Sequence, residues 1–98
     1  MNKEKKVIKK SGNIEDFDPE KIKNSVFSAA KEAGYDENQS LVIAEEVLRF
    51  VLDSIVGVEQ VDSNSLRDLI LNKLDEDYPE IAQKWRDYEE KKEKGIKN

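Results

Sequence analysis

Ninety-eight residues suffice for one domain and leave no length for a second core. Charged residues make up 40% of the chain and hydrophobic ones 37%, so the core must be concentrated on a few well-patterned stripes. With no His and no Cys, Ser-His and Cys-His nucleophile pairs, zinc fingers and disulfide frameworks are all excluded. Formal net charge is -5, from 17 Lys+Arg against 22 Asp+Glu. Residues 1–10 hold five lysines and one glutamate, a local charge of +4 that leaves -9 for the remainder. An acidic body repels a duplex phosphate backbone, so long nucleic acid is disfavoured as a partner, while two or three placed lysines still suffice for a small polyanion. No apolar run approaches a membrane span and the lysine-rich start is not a secretory signal, so a soluble, cytoplasmic protein without a membrane partner is expected.

In chain order, Val7-Ile8-Lys9-Lys10 and Asn13-Ile14-Glu15-Asp16-Phe17 flank Ser11-Gly12 and predict a β-hairpin. Alternation sends Val7 and Lys9 to one face and Ile8 and Lys10 to the other. Asp18-Pro19-Glu20-Lys21 has the grammar of a helix start, with an Asp N-cap and Pro at the first helical position. The stripe Ile22, Val26, Ala29, Ala30 and Ala33 then runs to a stop at Gly34. From a cap at Asp36, a longer helix carries Leu41, Ala44, Val47, Leu48, Val51, Leu52 and Ile55 to Gly57, and its length predicts that it is the central, most buried one. Val58-Glu59-Gln60-Val61 alternates as a short third strand. Asp62 is the cap for a third helix with Leu66, Leu69, Ile70 and Leu74 inward, and Pro79 starts a fourth with Ile81, Ala82, Trp85 and Tyr88 inward. The fold class is therefore α+β, mostly α: an N-terminal hairpin with a short third strand packed on a four-helix bundle. The ordered unit is set at 6–90, with flexible ends at 1–5 and 91–98.

The segment Val7-Ile8-Lys9-Lys10-Ser11-Gly12-Asn13-Ile14-Glu15-Asp16-Phe17-Asp18-Pro19-Glu20-Lys21-Ile22 resembles the opening motif of the ATP-cone domain. That motif runs valine-x-lysine-arginine-aspartate-glycine, then glutamate, phenylalanine-aspartate and lysine-isoleucine. Lys10 stands where arginine is usual, Ser11 where aspartate is usual, and Asp18 where some members carry asparagine. ATP cones precede ribonucleotide reductase large subunits and occur in the repressor of reductase genes, binding ATP or dATP as an allosteric signal. The resemblance implies that Val7 lies against the base, Lys9 and Lys10 reach phosphates, and Glu15 and Asp18 address the adenine edge. Lys21 would contact ribose or phosphate, and Lys84 is the phosphate candidate on the fourth helix. It further implies a regulatory module without catalysis, in keeping with the lack of any G-x-x-x-x-G-K-[ST] loop. ATP or dATP is the expected ligand, with Mg²⁺ left open. The regulated partner would be a ribonucleotide reductase, another chain, or further copies of this one in a homo-oligomer.

Each assignment has a plainer counterpart. Lysine-rich strands usually guard an edge, Asp-Pro pairs usually cap, and Trp85 and Tyr88 at helical spacing usually pack. The competing function is a protein-interaction module that no longer binds nucleotide. Nucleic-acid binding through residues 3–10 is a weaker third reading.

Overall fold

The computed structural model describes residues 5–9 and 11–93. Over them the chain forms β1 (Lys6–Ile8), β2 (Ile14–Asp16), α1 (Pro19–Glu32), α2 (Glu37–Ser54), β3 (Gln60–Asp62), α3 (Ser63–Asp77) and α4 (Pro79–Glu93). This is the α+β, mostly α arrangement expected from the pattern. The sheet has the order β2-β1-β3. β2 runs antiparallel to β1 with Glu15 opposite Val7, and β3 runs parallel with Val61 beside Val7. The third strand starts two residues later than the alternation places it. Gly57 turns the chain at φ 83°, and the Val58 N–H donates back to the Ile55 carbonyl at 3.0 Å, which takes Val58 into the turn.

Local chemistry accounts for the helix starts. Asp18 caps α1 by accepting from the Glu20 N–H at 3.0 Å, with Pro19 at the first position. Asp36 and Gln39 form a reciprocal capping box on α2. Asp62 occupies the N-cap position of α3, but its carboxylate makes no cap hydrogen bond, so the cap expected there is one of position only.

Each helix packs mainly on two neighbours, α1 on α2 and α4, and α3 on α4 and α2, so α2 is not central as its length suggested. Val26, Val47, Val51, Leu74, Ile81 and Ala82 are fully buried between them. Two residues expected inside lie outside. Leu41 is 40% exposed because the buried face of α2 is set by Ser40, Ile43, Ala44, Val47 and Val51, about 100° around the helix. Tyr88 is 45% exposed, since Trp85 is the last buried residue of α4 among those whose side chains are described.

Of the ends expected to be flexible, 1–4 and 94–98 lie outside the described residues, as does Lys10 of the hairpin. Lys5 is held. Its carbonyl accepts from the Phe17 N–H at 2.9 Å, and its ammonium donates to the carbonyls of Ile55 and Val58 at 3.0 and 2.7 Å.

At the far end of the bundle a tyrosine pair joins the α1–α2 loop to the α3–α4 junction. The rings of Tyr35 and Tyr78 meet edge to face at 6.3 Å. Tyr35 donates its hydroxyl to Glu80, and Tyr78 donates to Glu46 at 3.0 Å. The bond to Glu80 holds the Tyr35 hydroxyl above its ordinary pKa of 10.0, while burial followed by the bond to Glu46 does the same for Tyr78. Glu80, accepting from Tyr35, is held below its ordinary 4.5. The tyrosines therefore add stability that is whole below pH 10.0 and disappears as pH rises through their folded values. Glu80 adds stability that is present above pH 4.5 and disappears as pH falls through its lowered value. Tyr35→Phe is expected to flatten both arms of the melting temperature against pH, by a few degrees because the Tyr35–Glu80 bond is open to solvent. Arms as steep as wild type would show that the latch carries no linkage.

Candidate functional site

Strand alternation directs Val7 of β1 and Lys9 just after it to one face of the sheet, which forms one wall of an open cleft of about 450 Å³. That volume lies in the range of small-molecule pockets. β2 and the residues after it add Glu15, Asp16 and Phe17, and the start of α1 adds Asp18, Lys21, Ile22 and Ser25. The opposite side comes from the first turns of α3, with Ser63, Asn64, Leu66, Arg67 and Ile70, and from Trp85 and Glu89 of α4.

The folded chain thus brings Val7, Lys9, Glu15, Asp18 and Lys21 together on one cleft. Lys10 lies outside the described residues. Lys84 does not line the cleft: α4 turns Ile81, Ala82 and Trp85 inward, and that rotation leaves Lys84 exposed.

Charge in the cleft is mixed. Lys9, Lys21 and Arg67 bring three cations, against the carboxylates of Glu15, Asp16, Asp18 and Glu89. Some of those carboxylates already have work. Asp16 is paired with Lys6, and Asp18 spends Oδ1 on its cap, which leaves Oδ2 for a ligand. The Lys9 ammonium stands 3.9 Å from Glu15 Oε1. That distance gives through-space attraction without a hydrogen bond, so the ammonium keeps its donors. The N-terminus of α1 adds the positive end of its dipole next to Lys21.

The apolar wall is fixed by a polar lock. Ser25 Oγ donates to the Ile22 carbonyl at 2.9 Å and accepts from Trp85 Nε1 at 3.1 Å. Trp85 is only 3% exposed, so it acts as packed wall, as its spacing suggested, and not as an open stacking platform. Val7, Ile22, Leu66 and Ile70 complete the apolar lining.

Sequence reasoning missed Arg67, Ser63, Asn64 and Ser25. One signal was present: Ser63 and Arg67 are four apart, hence on one face of α3, at the edge of the apolar stripe.

The family model of the ATP cone domain matches residues 5–94. Over 70 residues the chain is 34% identical to the transcriptional repressor NrdR of Sulfurihydrogenibium sp. (strain YO3AOP1), an alignment covering 71% of this chain and 45% of that protein. The chain thus spans about half the length of the curated relative it matches. A family model that runs from the first described strand through the last helix, and that includes every lining residue of the cleft, places this chain in the ATP-cone domain family.

Proposed function

We propose that the cleft under the sheet binds an adenine nucleotide, ATP or dATP, as a regulatory ligand that is held and released unchanged. The observation that carries this reading is the convergence of Val7, Lys9, Glu15, Asp18 and Lys21 on one cleft, with Arg67 facing them from α3. Lys9, Lys21 and Arg67 are the groups suited to phosphate oxygens, the guanidinium of Arg67 offering a two-pronged fork. Glu15 and Asp18 Oδ2 repel phosphate but accept hydrogen bonds from an adenine amino group or a ribose hydroxyl. Val7 and the neighbouring apolar side chains suit the face of the base. Regulation requires ATP and dATP to couple differently to two states of the protein, acting on a partner chain or on self-association.

The test is thermal melting with ATP, dATP and GTP, with and without Mg²⁺. A ligand at about 100 times its Kd stabilises the folded state by about 2.7 kcal/mol, which in a domain of this size raises the melting temperature by roughly 10 °C or more. Flat curves with both adenine nucleotides overturn the reading. They would favour an interaction module instead, for which Ile14, Val42 and Val56, exposed at 58%, 61% and 72%, are the most exposed aliphatic side chains among the described residues. Binding to long nucleic acid would instead show steep salt dependence and indifference to mononucleotides.

A further inference from the structure

Lys5, Val7 and Lys9, in β1 and just either side of it, fall on one face of the sheet at period two, and the cleft uses only Val7 and Lys9. The third, Lys5, points to the other end of the sheet, about 13 Å from Lys9 along the strand. Its ammonium donates to the carbonyls of Ile55 and Val58, at 3.0 and 2.7 Å, where α2 ends. α2 has no basic residue in its own last turn, so the negative end of its dipole is met by a cation from 50 residues away. The backbone ties run to the same place: the Lys6 N–H donates to the Glu59 carbonyl at 2.9 Å. The turn so clamped presents Val56 at 72% and Val58 at 39% exposure, with Gly57 at positive φ between them.

We propose that Lys5 is a positioning residue that couples nucleotide occupancy of the cleft to the order of the 55–58 turn. A ligand gripping Val7 and Lys9 restrains β1, and β1 restrains the turn through the Lys5 ammonium. The same linkage run backwards makes capture of the Val56 side chain by another protein tighten nucleotide binding. The inference rests on the nucleotide reading above and adds where the signal leaves the site.

Hydrogen exchange on the whole chain, with and without saturating ATP, tests it, with calorimetric titration of the same preparations reporting binding separately. In wild type the amides of Ile55 and Val58 are expected to slow about tenfold relative to the Tyr35 amide at the far end of the bundle. Lys5→Met keeps the aliphatic stem and removes the charge; it is expected to bind ATP within about threefold of wild type but to lose that relative slowing. Lys5→Arg is expected to restore it. ATP that saturates wild type without slowing Ile55 and Val58 overturns the coupling, as does full slowing in Lys5→Met. If Lys5→Met fails to fold, the wild-type measurement and Lys5→Arg decide. A chain that binds no ATP by calorimetry overturns the nucleotide reading and this inference together, a failure distinct from binding without coupling.

Discussion

Replacing Lys9 with alanine is expected to weaken ATP binding by about 10- to 100-fold, since a charge-assisted hydrogen bond is worth about 1.5–3 kcal/mol and each tenfold in affinity is about 1.4 kcal/mol. The fold should survive. Lys9 is half exposed, and its partner Glu15 stands 3.9 Å away on the neighbouring strand, so the melting temperature without nucleotide should stay within about 3 °C of wild type. Arg67→Ala is expected to act on affinity to a similar degree from the opposite wall. Arg67→Lys should recover only part of the loss, because an ammonium keeps the charge and gives up the fork. Lys84→Ala serves as the control, exposed on α4 and away from the cleft, and should bind as wild type does. Calorimetric titration of the four variants separates the outcomes. Wild-type affinity in both Lys9→Ala and Arg67→Ala would remove the phosphate role from the cleft, and a loss in Lys84→Ala would move it to α4.

The contrast between Lys9 and Arg67 shows which parts of such a site can be read from sequence. Lys9, Glu15, Asp18 and Lys21 fall within one short stretch whose geometry is set locally, by alternation along a strand, a cap and the first turn of a helix. Arg67 reaches the same cleft only because the first turns of α3, whose inward stripe the sequence does show, pack across from β1, and that placement depends on the other elements. Lys84 stands outside the cleft because the stripe of α4 that the sequence does show, Ile81, Ala82 and Trp85, turns it to solvent. Helix starts at Pro19 and Pro79 and stops near Gly34 and Gly57 were legible because caps, imino acids and positive φ act within a few residues. Partners far apart in sequence were not legible. Lys5 falls in an end expected to be flexible until α2 is seen to end beside it.

Trp85→Ala is expected to produce the largest loss of stability among single changes at the site. Removing a buried Trp costs about 3–5 kcal/mol, a large share of the roughly 5–15 kcal/mol that holds a small domain together, and corresponds to a fall in melting temperature of roughly 15–30 °C. The indole is 3% exposed and serves the core and the cleft at once, so truncation opens the wall as well as the core. Trp85→Phe separates the two roles. It keeps most of the apolar volume but deletes the Nε1 donor to Ser25 Oγ, whose hydroxyl still has the Ile22 carbonyl to donate to. The lost bond is worth about 1 kcal/mol, so Trp85→Phe should melt about 5–10 °C below wild type once the smaller ring is included, and should bind ATP within about threefold. Calorimetric affinity beside the melting curve reads both quantities. If Trp85→Phe loses nucleotide affinity by tenfold or more while remaining folded, the indole makes direct contact with the ligand, and its assignment as packed wall fails.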